Sequence, residues 1–148
     1  MPDVVPHLKL TQEGALKMLD AAVAKAEENK TPMCIAVVDD GANLLAFVRM
    51  DGSKIHSIDT SIAKARTAVS GRVQTGAIPF ELSTKLSMAS GGRYINLNAG
   101  LPIIVDGHVI GGIGAGSGTG AEDLEVTKAA VDVIEGAQSF ESAEAYPA

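Results

Sequence analysis

The chain has few of the residues on which disulfide-rich, metal-binding or aromatic-cored proteins depend. Its 148 residues include one cysteine, no tryptophan, three phenylalanines, two tyrosines and three histidines. A single cysteine excludes an internal disulfide, and the apolar run around Cys34 predicts a buried thiol. The histidines lack the H-x-x-x-H spacing of a zinc site, so we expect no metal site. The core must therefore be aliphatic.

Excess positive charge and long apolar runs are also missing. The formal net charge is −6, whereas nucleic-acid binding requires a basic stripe. No apolar run approaches the roughly 20 residues of a membrane span. The first ten residues do not show the basic segment and apolar stretch of a signal peptide. These features predict a cytoplasmic protein that binds neither nucleic acid nor a membrane.

The periodicity of apolar residues predicts a single α+β domain with its core at about 11–136 and a frayed tail at 137–148. Helical spacing covers 11–29, with Thr11 as a candidate N-cap, and about 121–136. It also covers 53–72, with Ile55 on the apolar face, and Pro79 begins a short helix. Apolar β-type runs at 33–39 and 43–50, and on either side of Asp106-Gly107, predict two hairpins. The segment RYIN (93–96) is a further candidate strand. Paired hairpins separated by helices indicate an antiparallel sheet covered by helices.

A glycine-rich stretch, VIGGIGAGSGTGAEDLEV at 109–126, resembles a phosphate-binding loop. It matches only the loose pattern G-x-G-x-x-A, no second strand follows the helix, and no Gly-Lys-Ser/Thr is present, which argues against dinucleotide and P-loop sites. Two interpretations stay open. The glycines allow a tight turn into a helix capped by Thr119 and Glu122, or the backbone N–H groups of the 114–120 loop contact an anionic ligand or a partner subunit.

Several motifs resemble the GlcG/HbpS family, which includes the C-terminal domain of PduO. They occur in the family's order within 39–68 and 100–126: Arg49-Met50-Asp51-Gly52, Ser57-Ile58-Asp59, Lys64-Ala65, Gly100-x-Pro102, Asp106-Gly107, and the glycine loop with Glu122 and Asp123. The resemblance implies a profilin-like fold, with an antiparallel sheet flanked by helices. It also implies homo-oligomers, from dimers to octamers, and haem or corrinoid-related ligands; other members belong to catabolic pathways.

Two positions depart from the family pattern. Many relatives have histidine where Asn43 stands, and tyrosine where Arg66 stands. The first change removes a candidate iron ligand or a donor beside it. The second adds a cation to a helix that is expected to line the pocket. Both changes favour an anionic organic ligand over haem.

The candidate ligand-binding residues are the basic pair Arg49 and Lys64, together with His56, Gly116, Gly118 and Thr119. Lys64 and Arg66 are two positions apart on a helix and diverge by roughly 200°, so they cannot face one pocket. Asp39, Asp51 and Asp59 are candidate ion-pair partners for the basic pair. Among the histidines, His56 is the best candidate for a haem ligand, and surface positions are expected for His7 and His108.

Three functional hypotheses follow. The first is an oligomeric protein that binds a small molecule, with haem or a related tetrapyrrole implied by the resemblance. The second is a cofactor-independent isomerase, lyase or hydratase acting on a small organic acid in a catabolic pathway. There Glu122 or Asp123 would abstract a proton and Lys64 or Arg49 would stabilise the enolate. The third is a purely structural or interaction subunit.

Overall fold

The computed structural model describes residues 1–140. Its helices and strands follow one another along the chain as α1 (Gln12–Glu28), β1 (Cys34–Asp39), β2 (Leu44–Arg49), α2 (Ser57–Gly71), α3 (Phe80–Ala89), β3 (Leu101–Val105), β4 (His108–Gly116) and α4 (Gly120–Val131). The strands form one antiparallel sheet in the order β2-β1-β4-β3. The predicted α+β class and both hairpins are confirmed.

Helices cover both faces of the sheet. Side chains of successive strand residues point to opposite faces, and five consecutive residues of β1 are buried, so both faces need a cover. Ile35 and Val37 of β1 and Ile113 of β4 belong to the main core, to which α1 and α4 contribute Met18 and Leu124. Val38 belongs to a smaller cluster on α2. The core is aliphatic, as the composition predicts, and Cys34 is buried in it.

Glycines in β4 allow α2 to lie unusually close to the sheet. A Cβ atom at Gly112 would lie 2.6 Å from the backbone oxygen of Ala65, and one at Gly114 would collide with the backbone oxygen of Ser61. Most of the residues that α2 buries are accordingly serine, threonine or alanine, and the larger exceptions are Val69 and Lys64. The main role of the glycine pattern is thus helix-to-sheet packing, which neither sequence interpretation had included.

Local signals at element ends are confirmed. The Thr11 hydroxyl accepts a hydrogen bond from Gly14 N at 3.0 Å and caps α1. Thr119 and Glu122 form the predicted capping box of α4. Asp106 and Gly107 both have left-handed backbone conformations, with φ of 49° and 77°, as a tight two-residue hairpin requires.

Four local predictions were wrong. Residues 93–96 form no strand, and α4 ends at Val131 instead of 136. Residues 114–116 continue β4 and do not belong to a loop. The start of the predicted tail is held against the sheet, since Ala137 bridges Val105 and Gln138 N donates to Ile104 O at 2.8 Å. The rest of that tail, 141–148, lies outside the described residues.

Candidate functional site

A cavity of about 300 Å³ opens at the end of the sheet where β4 runs into α4. Its walls come from the first half of α2, the β4–α4 turn and the segment before β3. The lining side chains and backbone belong to Lys54, His56, Ser57, Thr60, Lys64, Gly76, Asn96, Leu97, Asn98, Gly116, Ser117, Gly118, Gly120 and Asp123. The volume is at the low end of the range for small-molecule pockets.

The wall of the cavity contains a buried ion pair. Lys64 and Asp123 have side chains only 5% and 4% exposed, and Lys64 Nζ lies 2.9 Å from Asp123 Oδ2. The same ammonium donates to Ala115 O at 2.7 Å. An ammonium has three hydrogens, so the acceptors Asp123 and Ala115 leave one hydrogen of Lys64 for a further contact.

Asp123 is held in place from both sides. Its Oδ1 accepts a hydrogen bond from Gly118 N at 2.9 Å, and its Oδ2 accepts from Lys64. Burial raises the pKa of the Asp123 carboxyl above the ordinary value of 3.8, and the opposing effects of Lys64 and of the Gly118 N–H do not cancel this rise. The carboxyl therefore takes up a proton more readily than a solvated aspartate does.

Two hydroxyl groups form a short chain beside the pair. Ser117 Oγ accepts from Lys54 N at 3.0 Å and donates to Ser57 Oγ at 2.8 Å. Ser57 is buried and lines the cavity. Because Ser57 Oγ accepts in this bond, its own hydrogen remains available to a ligand.

An amide on the opposite wall is oriented by a glutamine. Gln74 Nε2 donates to Asn98 Oδ1 at 3.0 Å, and Ala99 N donates to the same oxygen at 2.8 Å. The Asn98 amide nitrogen is left with one long contact, 3.5 Å to Gly120 O. The oxygen of Asn98 is thus engaged, and its NH₂ group is the part that a ligand can use.

The mouth of the cavity combines a base, a cation and apolar surface. His56 is exposed at the start of α2 and lines the opening with Lys54. Leu97 lines the cavity and is exposed, and so is Ile55, which stands between Lys54 and His56 in the chain. The exposure of Ile55 differs from the sequence expectation, which placed it on the apolar face of the helix.

The structure brings some of the predicted site residues together and separates others. Lys64, His56, Gly116, Gly118 and Asp123 all line the cavity. Arg49, Thr119 and Glu122 do not. Arg49 is exposed at the end of β2, two strands away from β4, so the predicted pairing of Arg49 with Lys64 in one pocket is not observed.

The acidic residues at the start of α4 have separate roles. Glu122 Oε1 accepts from Thr119 N at 2.9 Å, and Thr119 Oγ1 accepts from Glu122 N at 3.2 Å. These hydrogen bonds from Thr119 lower the pKa of Glu122, so Glu122 is a weaker base than Asp123. The Gly118, Thr119 and Glu122 N–H groups are bound by side chains of their own segment, which reduces the anion-binding capacity expected of this turn.

The structure also gives Lys64 and Arg66 other partners and positions than the sequence interpretation expected. Lys64 is paired with Asp123 and not with Asp39, whose carboxylate accepts from Gly41 N and Asn43 N in the β1–β2 turn. Arg66 is exposed and donates to Ala42 O at 3.1 Å, so its cation lies outside the cavity.

Ser57, Asn98 and Lys54 are site residues that the sequence interpretation missed. Ser57 was noticed only as part of a motif, and the segment containing Asn98 adjoins the residues assigned to a strand. A useful signal was the unbroken run YINLNAG at 94–100, where two asparagines alternate with apolar residues directly before a strand. Asn96 has a structural task there, since its side chain binds both Ile78 N and Ile78 O.

A wider depression of about 840 Å³ lies near the other end of α2, with His7, Arg72 and His108 in its wall. His7 Nε2 lies 2.7 Å from Asp40 Oδ2, and the two side chains are 56% and 38% exposed. Within residues 1–140, no three His, Cys, Asp or Glu side chains are grouped as a metal site would need. None of the helices in this part of the chain is long and apolar enough to cross a membrane.

Relatives with similar sequences extend over most of the chain. A 15.0 kDa protein encoded between dhaT and dhaS of Citrobacter freundii is 35% identical over 132 residues, which cover 83% of this chain and 90% of the relative. Protein GlcG of Escherichia coli K12 is 36% identical over 106 residues, which cover 71% and 79%.

Solved structures show the same fold. An HbpS double mutant from Streptomyces reticuli is 30% identical, with a TM-score of 0.80 over 89% of this chain and 91% of that one. A PduOC–haem complex shares the fold at 23% identity, with a TM-score of 0.80 over 90% and 100%. The family model described as haem degrading protein HbpS-like matches residues 10–132. The chain is therefore a member of the HbpS-like family, as its motifs indicate.

Proposed function

We propose that the protein is a cytoplasmic homo-oligomer that binds haem or a related tetrapyrrole across the mouth of the cavity. The observation that carries this proposal is the exposed imidazole of His56 at the opening, beside the apolar side chains of Leu97 and Ile55. Imidazole is a common axial ligand of haem iron. The adjacent ammonium of Lys54 can pair with a propionate.

The size of the cavity limits how a tetrapyrrole can sit. About 300 Å³ is a small volume even for an ordinary ligand, so one edge of the macrocycle would enter and the rest would lie on Ile55, Leu97 and neighbouring surface. The donor set fits haem, with His56 for the iron and Lys54 for a carboxylate. Haem would supply redox-active iron, whereas the chain would bind and orient it.

The comparisons support this ligand indirectly. The family description names haem, and a protein of the same fold was crystallised with haem. The identity to that protein is too low to transfer its ligand contacts. The proposal therefore depends on His56 and its surroundings in this chain.

Titration with haem tests the proposal directly. We expect the wild type to give a saturable change in the Soret band, and His56→Ala to alter both its position and the affinity. His108→Ala is the control, because His108 lies in the other depression. Absence of saturation in the wild type would contradict haem binding, and an unchanged spectrum in His56→Ala would remove His56 as ligand.

The ion pair supports a second candidate, a cofactor-independent enzyme for a small organic acid. Asp123 has a raised pKa, and Lys64 beside it can stabilise an oxyanion. In such a reaction the Asp123 carboxylate takes a proton from the carbon next to the substrate carbonyl, and Lys64 donates a hydrogen bond to the enolate oxygen. This step is common to many isomerases, lyases and hydratases.

Isotope exchange distinguishes the enzyme from a carrier. In D₂O the enzyme would incorporate deuterium at the carbon next to the substrate carbonyl, as detected by NMR. Asp123→Asn should abolish the exchange, whereas Asp132→Asn, an exposed aspartate at the end of α4, should not. Equal exchange with and without protein across a panel of small hydroxy and keto acids would contradict this candidate.

A further inference from the structure

We propose that the inner end of the cavity is a carboxylate-binding subsite formed by Lys64, Ser57 and Asn98. This inference rests on the proposed function only for the location of the site, because it concerns a different part of the cavity from His56. Its occupant is a carboxylate group, either on a small free acid or on the propionate of a tetrapyrrole.

The first argument is the number of unused hydrogen-bond donors. Lys64 keeps one ammonium hydrogen after binding Ala115 O and Asp123, although its side chain is buried. Ser57 is buried as well and keeps its hydroxyl hydrogen. Buried donors without acceptors cost free energy, so an acceptor from outside the chain would stabilise this arrangement.

The second argument is the orientation of Asn98. Gln74 and the Ala99 N–H both donate to its side-chain oxygen, which leaves the NH₂ group for a ligand. Replacing Gln74 would release the amide to turn. The cavity therefore presents donors from two walls, which suits a planar group with two acceptor oxygens.

The third argument is charge. Asp123 is the only acid among the residues that line the cavity, and both of its oxygens already accept hydrogen bonds from Lys64 and Gly118. Lys54, whose charge also helps to lower the pKa of Glu122, adds a second cation at the mouth. The one carboxylate of this lining is engaged while donor hydrogens of Lys64, Ser57 and Asn98 remain, so an anion is a better occupant than a cation or an amine.

Binding of acetate and propionate, with acetamide and propionamide as uncharged counterparts, tests the subsite. We expect saturable NMR shift changes for the acids and much weaker effects for the amides. The double variant Lys64→Met with Asp123→Asn should weaken acid binding by about 10- to 150-fold, the equivalent of losing a hydrogen bond to a charged group. The double variant avoids leaving Asp123 as an unpaired buried charge.

Two further variants keep the test informative. Ser57→Ala removes one small donor and should weaken acid binding severalfold even if the double variant folds poorly. Lys85→Met is the matched control, because Lys85 is an exposed lysine of α3 paired with Glu81. Equal binding of acids and amides, or no saturable binding of either acid to the wild type, would overturn the subsite.

Haem and its dimethyl ester identify the source of the carboxylate. If a propionate occupies the subsite, the ester should bind more weakly than haem, and the double variant should remove that difference. If a free acid is the occupant, haem and ester should bind alike while acetate still binds. Acid binding without haem binding would contradict the proposed function alone. Haem binding without saturable binding of either acid would contradict the subsite alone.

Discussion

Lys64 and Asp123 form a buried ion pair, and burying their charges has a large desolvation cost. Removing two charges from water costs several kcal/mol for each ion, and their attraction offsets this cost only when further hydrogen bonds are present. Here Ala115 O and Gly118 N provide those hydrogen bonds. Removing one partner leaves a buried unpaired charge, which typically costs about 3–5 kcal/mol. Replacing either residue alone should therefore destabilise the fold as well as alter the site.

The raised pKa of Asp123 predicts a particular dependence of stability on pH. The carboxyl has a pKa of 3.8 in the unfolded chain, and in the folded protein it stays protonated to a higher pH. Stability from this group is therefore present below the unfolded pKa and is lost as the pH rises through the folded pKa. Asp123→Asn has no such titration. We expect the unfolding free energy of the wild type, relative to Asp123→Asn, to fall by up to about 1.4 kcal/mol per pH unit in this window.

Urea unfolding of both proteins at a series of acidic pH values measures this difference. The comparison uses the slope against pH, since the variant also leaves Lys64 without a charged partner at every pH in the series. Parallel curves for the two proteins would show that the carboxyl titrates as it does in the unfolded chain.

Among the elements, β4 and α2 are packed so closely that a side chain on the facing glycines of β4 would clash with the α2 backbone. The glycine face of β4 and the small residues of α2 allow the two backbones to meet, and this approach places Lys64 over the end of β4. A helix at the usual distance from the sheet would hold the lysine away from Ala115 O. The glycines thus position the ion pair without contacting a ligand.

Gly114→Ala tests this packing. The added methyl group would collide with the backbone oxygen of Ser61, which cannot turn aside as a side chain can. We expect a loss of about 1–3 kcal/mol of unfolding free energy, as for other overpacked sites. Gly41→Ala is the control: its Cβ would meet only side-chain atoms, those of Asn43 and Asp39, and a change within about 0.5 kcal/mol is expected. Equal denaturation midpoints for the two variants would contradict the close-contact explanation.

At the scale of the whole molecule, α3 stands out because none of its residues is buried. Phe80 is 86% exposed and Met88 is 78% exposed, and Leu82 is exposed on the same helix. A ten-residue helix is marginal in water without tertiary packing. Exposed apolar groups of this kind mark interaction surfaces, which supports the proposed assembly of several copies.

Light scattering at micromolar concentration tests this assembly. We expect a mass of at least twice the 15.2 kDa of one chain. The double variant Phe80→Glu with Met88→Glu should lower that mass, because it places charges within the apolar surface. Leu16→Glu, at an exposed leucine of α1, is the matched control. A wild-type monomer would contradict the assembly, and an unaffected double variant would exclude α3 as its interface.

The sequence by itself determined the elements whose signals act over a few residues. Thr11 and the Thr119–Glu122 box cap their helices, and Asp106-Gly107 turns the second hairpin, because each signal binds or bends only its neighbours along the chain. Family motifs also indicated the fold class and the HbpS-like family. The segment 93–96 was misjudged because its adjacent β-type residues, Tyr94 and Ile95, pair with no strand.

Only the tertiary structure decided which residues share the site. The partner of Lys64 is Asp123, 59 positions away, and its acceptor Ala115 is 51 positions away. The strand order separates Arg49 from the cavity, and the glycines of β4 bring α2 close enough for Lys64 to enter it. Such contacts depend on which elements become neighbours and how closely they pack, and neither property can be deduced from periodicity or local propensity within one segment.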